Sequence, residues 1–149
     1  MTHNISCNIC GKSPAFYHRP YEGTTLCQRC FKKNIERKVR KAISKYKMFS
    51  PEDHIGVAVS GGKDSLTLLY ILNRIEAEYP KARLTALAVD EGIKGYREEA
   101  LRLAESFTAK LGIELKTISF KELYGETLDE IVRSRGCKVP MLLLRSPEA

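Results

Sequence analysis

The sequence predicts an α/β fold, a Rossmann-like parallel sheet, with a small cysteine-rich ribbon ahead of it. Three observations predict it: two Cys-x-x-Cys pairs near the start, a short apolar run that breaks at a glycine turn and resumes as a helix, and further apolar runs alternating with helical periodicity to about residue 135. With 43% hydrophobic and 29% charged residues, the 149-residue chain suits about one compact domain, or a small one plus an accessory module, which excludes disorder and collagen. The longest uncharged apolar stretch, Ser65 to Leu72, is far below the roughly 20 residues that span a bilayer. The polar start Met1-Thr2-His3-Asn4 has no signal-peptide core, so the expectation is a soluble cytoplasmic protein with no membrane partner.

The first element is the ribbon. Cys7-Asn-Ile-Cys10 and Cys27-Gln-Arg-Cys30 are separated by the sixteen residues Gly11 to Leu26, within the spacing of a four-cysteine zinc site. Two residues between thiolates let a tight turn present both sulfurs to one tetrahedral ion, and Gly11 supplies such a turn. Disulfides are the alternative, but a reducing compartment disfavours them, and a redox dithiol needs only one pair. Residues 1–32 are too few to fold on an apolar core alone, so Zn²⁺ is expected to provide their stability. His18 is expected in a loop rather than among the ligands, and His3 and His54 belong to no constellation.

The second element is a basic helix. Phe31 to Lys47 holds eight lysines and arginines against the single acid Glu36, as large an excess as the whole chain's formal +7. Ile35, Val39, Ile43 and Tyr46 recur at helical spacing, giving an apolar stripe with a basic back. A solvated helix face is the bland alternative. So many cations in one short segment favour nucleic-acid phosphate contacts through Lys32, Lys33, Arg37, Lys38, Arg40 and Lys41.

After Pro51 the pattern changes. Ile55, Val57, Ala58 and Val59 form an unbroken apolar run, as expected of a strand buried on both faces. It ends at Ser60-Gly61-Gly62-Lys63-Asp64-Ser65 and leads into a helix to about Tyr79. Glycines let backbone N–H groups turn inward on an anion, and the helix N-terminus adds its positive end. The spacing is not that of Walker A, and no dinucleotide fingerprint is present. Next come a strand over 84–89, the loop Asp90-Glu91-Gly92-Ile93-Lys94-Gly95-Tyr96-Arg97, and a helix over 97–111 expected to bury Ala100, Leu103, Ala104, Phe107 and Leu111. A strand over 114–119 and a helix over 127–135, capped near Glu126 or Thr127, complete the series. This alternation makes a right-handed parallel sheet with both loops at the strands' carboxyl edge.

The hexapeptide Ser60 to Ser65 resembles the PP-loop of the N-type ATP pyrophosphatases. Together with the paired-cysteine ribbon, the basic helix and the Gly-Ile-Lys-Gly-Tyr-Arg segment, it resembles the tRNA 2-thiolation enzymes, and among them the archaeal and eukaryotic cytoplasmic 2-thiouridine branch. The resemblance runs from Cys7 to about Arg135. It implies a PP-loop ATPase-type sheet ordered 3-2-1-4-5, present here in part, and the change of pattern after Pro51 divides the chain into domains at 1–32 (zinc ribbon), 33–52 (basic helix and linker) and 53–149 (ATP-binding α/β domain). It further implies that Ser60, Gly61, Gly62, Lys63, Asp64 and Ser65 hold the ATP phosphates, Lys63 countering charge and Asp64 placing Mg²⁺. Ala58 would lie beside the nucleotide, and Asp90, Gly92 and Gly95 would border the site where base meets ATP. The implied reaction is adenylation of the C2 oxygen of a tRNA uridine or cytidine, then sulfur transfer. The implied partners are tRNA and a sulfur carrier or sulfide donor, with a homodimer admissible. Another PP-loop synthetase, such as a lysidine-forming one, and a non-catalytic zinc-containing RNA-binding module are the alternatives.

The sequence departs from that family at its end. Cys137 stands alone where the family continues with Cys-x-x-Cys-Gly and, later, ligands for sulfur chemistry or an iron–sulfur cluster. Read one nucleotide later, the ATG of Met141 and either first base of a leucine codon give cysteine, and the codons that follow can spell the missing motif. The expectation is a frameshift near Gly136 that leaves residues 137–149 out of frame and the chain an inactive or partial copy of a longer enzyme. A natural short paralogue with a hydrophobic tail is the alternative.

Overall fold

The computed structural model describes residues 5–12, 14–93 and 97–135 and divides into two units, Met1–Ser50 and Pro51–Ala149. Gly95 and the tail from Gly136, with Cys137 and the out-of-frame expectation, lie outside the described residues.

In the first unit, strands β1 (Tyr17–Arg19) and β2 (Thr24–Leu26) form an antiparallel hairpin across a 3₁₀ turn, Pro20–Glu22, closed by Gly23 at φ 58°. A hairpin this short buries little apolar surface. Its centre is Cys7, Leu26 and Cys30, with Ala15, Cys27 and Phe31 packed around them. His18, expected in a loop, stands in β1 with its ring Nδ1 3.0 Å from the Thr25 hydroxyl. Helix α1 (Gln28–Tyr46) starts one turn earlier than the charge pattern suggested, so Cys30 lies on its first turn. Ring contact of Tyr17 with Phe31 at 4.5 Å, a 2.8 Å hydrogen bond from Arg19 to Asn34 and the Lys38–Glu22 approach at 3.9 Å align the hairpin along one face of α1.

The second unit carries β3 (His54–Ala58), α2 (Lys63–Glu76), β4 (Arg83–Asp90), α3 (Arg97–Leu111), β5 (Glu114–Ser119), α4 (Phe120–Tyr124) and α5 (Leu128–Arg135). The three strands are parallel in the order β3-β4-β5, with Ala58 opposite Leu87 and Asp90 opposite Ser119. This is the 3-2-1 part of the expected sheet. Both crossovers step in one direction along the sheet, which for the right-handed connections usual in such units puts α2 and α3 on the same face, and there they touch each other and the sheet. Val57, Val59, Leu69, Leu72, Ile75, Ala86, Ala88 and Ala104 are buried.

Two expectations need correction. β3 is not covered on both faces: Val57 and Val59 are buried, whereas His54, Gly56 and Ala58 are exposed, because both helices lie on one side. On α3, Leu103 is 51% exposed and Thr108 is buried instead, its hydroxyl satisfied by the Ala104 carbonyl at 2.9 Å. A threonine that bonds back to the preceding turn can enter a core from which its polarity would otherwise exclude it.

A thiolate cluster and a glycine-turn cradle

The four cysteines of the first unit converge. Their sulfurs all lie within 4.8 Å of one another, and Cys10 and Cys27 Sγ are 3.6 Å apart. A tetrahedral ion with arms of about 2.3 Å needs sulfur separations near ~3.8 Å, so this donor set fits a structural zinc ion. The knuckle after Cys7 is built as the spacing predicts. Gly11 takes φ 68° and donates its N–H to the Cys7 carbonyl at 2.8 Å, while Cys7 N–H donates to Lys12 at 3.0 Å. Backbone N–H groups, that of Cys27 foremost, pull the Cys7 thiol down to about 6, and burial pushes the Cys30 thiol up to about 12. Cys27 is likewise lowered, chiefly by the Cys30 N–H.

On α1, Lys33, Arg37 and Lys41 recur at intervals of four on one exposed face. Arg40 pairs with Glu36 at 3.1 Å, Lys38 leans toward Glu22, and Lys32 shares the helix side of Val39 and Ile43. Residues 1–50 hold eleven lysines and arginines against two glutamates, whereas residues 51–149 hold fourteen against sixteen acids. The chain's positive excess therefore belongs to the first unit.

In the second unit, β3 runs into the hexapeptide and the hexapeptide into α2. Ser60 N–H reaches Ser65 Oγ at 3.2 Å, and Ser65 Oγ donates to the Gly62 carbonyl at 3.0 Å, which closes the turn on itself. Gly61 has φ 80°, and a Cβ there would lie 2.4 Å from the Ala100 carbonyl oxygen of α3, so no other residue fits. The N–H groups of Lys63, Asp64 and Ser65 form the first turn of α2, where an α-helix has no carbonyl to offer them. Both side chains at 63 and 64 are exposed beside those donors. This is a donor-rich turn at a helix's positive end, an arrangement able to hold an anion.

The loop after β4 lies at the same edge. Asp90 turns inward, its Oδ1 accepting the Gly92 N–H at 3.0 Å. Gly92, at φ 72°, approaches Thr127 so closely that a Cβ would meet its side chain at 2.5 Å. Thr127 caps α5 reciprocally with Glu130, and Leu128 N–H donates to the Glu91 carbonyl at 2.8 Å. The structure thus brings residues 60–65, 90–92 and the start of α5 to one edge, with Ala58 ending β3 beside them.

Arg97, Glu91 and Ala100 were missed as site residues. Arg97 Nε lies 2.8 Å from a Glu91 carboxylate oxygen, and Arg97 Nη1 lies 3.4 Å from the Ser60 carbonyl. The available signal was an arginine at the first position of a helix, where the dipole disfavours a cation.

Residues 31–136 match the PP-loop domain family, and residues 6–32 match the N-terminal LIM domain of the 2-thiouridine synthetase TtuA. A probable sulfurtransferase of Methanocaldococcus jannaschii is 42% identical over 84% of this chain and 36% of its own length. The cytoplasmic tRNA 2-thiolation protein 1 of Chlamydomonas reinhardtii is 40% identical over 89% of this chain and 37% of its own. The U34-tRNA thiolase NcsA of Methanococcus maripaludis, solved with its [4Fe-4S] cluster, superposes with a TM-score of 0.78 at 39% identity, covering 87% of this chain and 43% of that one. The chain spans little more than a third of the length of these curated relatives. With the glycine turn at its centre and the match extending over 31–136, the chain belongs to the PP-loop domain family, and the relatives it is similar to carry the names of sulfurtransferases and tRNA 2-thiolation proteins.

Proposed function

We propose that the chain serves ATP-dependent tRNA 2-thiolation, its own part being to hold the nucleotide and the RNA. The observation that carries this reading is the turn between β3 and α2, whose one conformation requires Gly61 and leaves the first-turn N–H groups of α2 without helical acceptors. Ser60 to Ser65 hold the β,γ-phosphates of ATP, Lys63 balances their charge and Asp64 places Mg²⁺. Ala58 lies beside the nucleotide, and Asp90 and Gly92 border the base to be modified. The C2 oxygen of a tRNA uridine or cytidine attacks the α-phosphorus, the bond to pyrophosphate breaks, and the oxygen leaves as AMP when sulfur from a carrier or sulfide donor replaces it. N–H donors and Lys63 suit this step because negative charge moves onto the departing pyrophosphate.

Cys7, Cys10, Cys27 and Cys30 hold a structural Zn²⁺, which fixes the ribbon against the first turn of α1. Lys33, Arg37 and Lys41, with Lys32, Lys38 and Arg40 around them, contact tRNA phosphates. The strong positive excess of residues 1–50 also favours a second reading, a non-catalytic RNA-binding module. Exchange of labelled pyrophosphate into ATP separates the two. Thiolation predicts exchange that depends on added tRNA and is lost in Lys63→Ala, whereas RNA binding with no exchange under any condition supports the module.

A further inference from the structure

Arg97 opens α3 and is 6% exposed, a costly place for a cation both by burial and by the helix dipole. Glu91 neutralises it at 2.8 Å, so its charge is directed at the protein rather than at a ligand. Its other arm reaches the Ser60 carbonyl at 3.4 Å, across the turn that carries the cradle. Ser60 N–H is already taken by Ser65, and Gly62 N–H approaches Ser60 Oγ at 3.4 Å. The N–H of Gly61 has no acceptor among the described residues. In a planar trans peptide the carbonyl of residue 60 and the N–H of residue 61 point in opposite directions. Fixing one fixes the other.

We infer that Arg97 is a positioning residue of the cradle: by holding the Ser60 carbonyl it turns the Gly61 N–H to the opposite, open side of the turn, where it serves as a donor to a phosphate oxygen. The inference rests on the reading of Ser60 to Ser65 as a phosphate site. Packing of Gly61 against Ala100 sets where the turn sits on α3, and Arg97 sets how its first peptide is rotated. The same guanidinium joins the turn to the loop after β4 through Glu91, whose carbonyl accepts the Leu128 N–H at the start of α5.

The test is a titration of the ¹⁵N-labelled 149-residue chain with inorganic pyrophosphate, following the amide resonances of Gly61, Lys63 and Asp64. In the wild type all three should shift. Arg97→Lys retains a cation for Glu91 but lacks the forked second arm, so the Gly61 response should vanish and affinity should fall about tenfold, with Lys63 and Asp64 still responding. Arg102→Lys makes the same change at an exposed position of α3 and should bind within about twofold of wild type. Thermal melts of both variants report folding. If Arg97→Lys binds with an unchanged Gly61 shift, or if Arg102→Lys is equally damaging, the positioning role is overturned. A wild type in which Lys63 and Asp64 respond and Gly61 does not overturns the inference alone, and needs no variant. A wild type in which none of the three responds removes the phosphate site itself.

Discussion

Gly61 lies against the backbone of Ala100 so closely that its missing Cβ would sit 2.4 Å from the Ala100 carbonyl oxygen, and it does so at φ 80°. The neighbouring Gly62 differs in both respects. Its φ is −76°, and the nearest atom to an added Cβ is Ser60 Oγ at 3.4 Å. The two glycines of one motif thus differ: the fold demands the first, whereas backbone and packing leave room for a side chain at the second.

Gly61→Ala should therefore destabilise the second unit by at least about 2 kcal/mol, since rigid backbone blocks the methyl group and the left-handed conformation disfavours it. Gly62→Ala should cost under about 1 kcal/mol. Paired urea melts check this, and equal losses in the two variants would show that the contact with Ala100 does not constrain the turn.

Glu76, buried on α2, has its carboxyl pushed above the usual range, first by burial and then by the nearby charge of Asp53. A raised folded-state pKa favours the protonated form, so the group is best accommodated below its unfolded pKa, and stability falls as pH rises through the folded value. Glu76→Gln should raise the melting temperature at pH 7, with the advantage shrinking toward pH 4. Thermal scans across that window decide, and a gain that grows on acidification would contradict the assignment.

For the ribbon, metal analysis should find one zinc per chain, lost in Cys27→Ser together with the fold of residues 5–50. Cys30 is held protonated by burial while Cys7 is already acidic, so binding must displace a proton from Cys30. Apparent zinc affinity should rise with pH between 6 and 8, as competition with a chelator would show. A ribbon that stays folded with chelator present would defeat the assignment.

Changing Lys33, Arg37 and Lys41 to Gln should weaken tRNA binding across sequences and flatten the plot of log affinity against log salt by about 2 to 3 units. The same treatment of Lys38 and Arg40 should flatten it less, because Glu22 and Glu36 already face them. Filter binding at several salt concentrations distinguishes the two sets, and an unchanged slope in the first would make this a solvated face.

Much of this architecture was legible because local chemistry and tertiary context agree. The bounds of α3 and β5 are those the apolar periodicity predicts, and Gly11 and Thr127 do what their residue types and spacing announce. What could not be read depends on which side of the sheet each crossover falls. The run from Ile55 to Val59 looks two-sided because alanine and glycine suit both a core and an open face, and only the shared position of α2 and α3 leaves Gly56 and Ala58 exposed. The link from Arg97 to Ser60 spans thirty-seven positions, and no periodicity encodes it.

The central claim is that the turn from Ser60 to Ser65 holds the phosphates of ATP, and equilibrium dialysis of the 149-residue chain with ATP and Mg²⁺ tests it most directly. The account predicts one ATP bound per chain, competed by inorganic pyrophosphate and weakened at least about tenfold in Lys63→Ala, the equivalent of ~1.4 kcal/mol for a lost charged contact. A folded, zinc-loaded chain that binds no ATP at millimolar concentration, or binds it with pyrophosphate and Lys63→Ala both without effect, would contradict it.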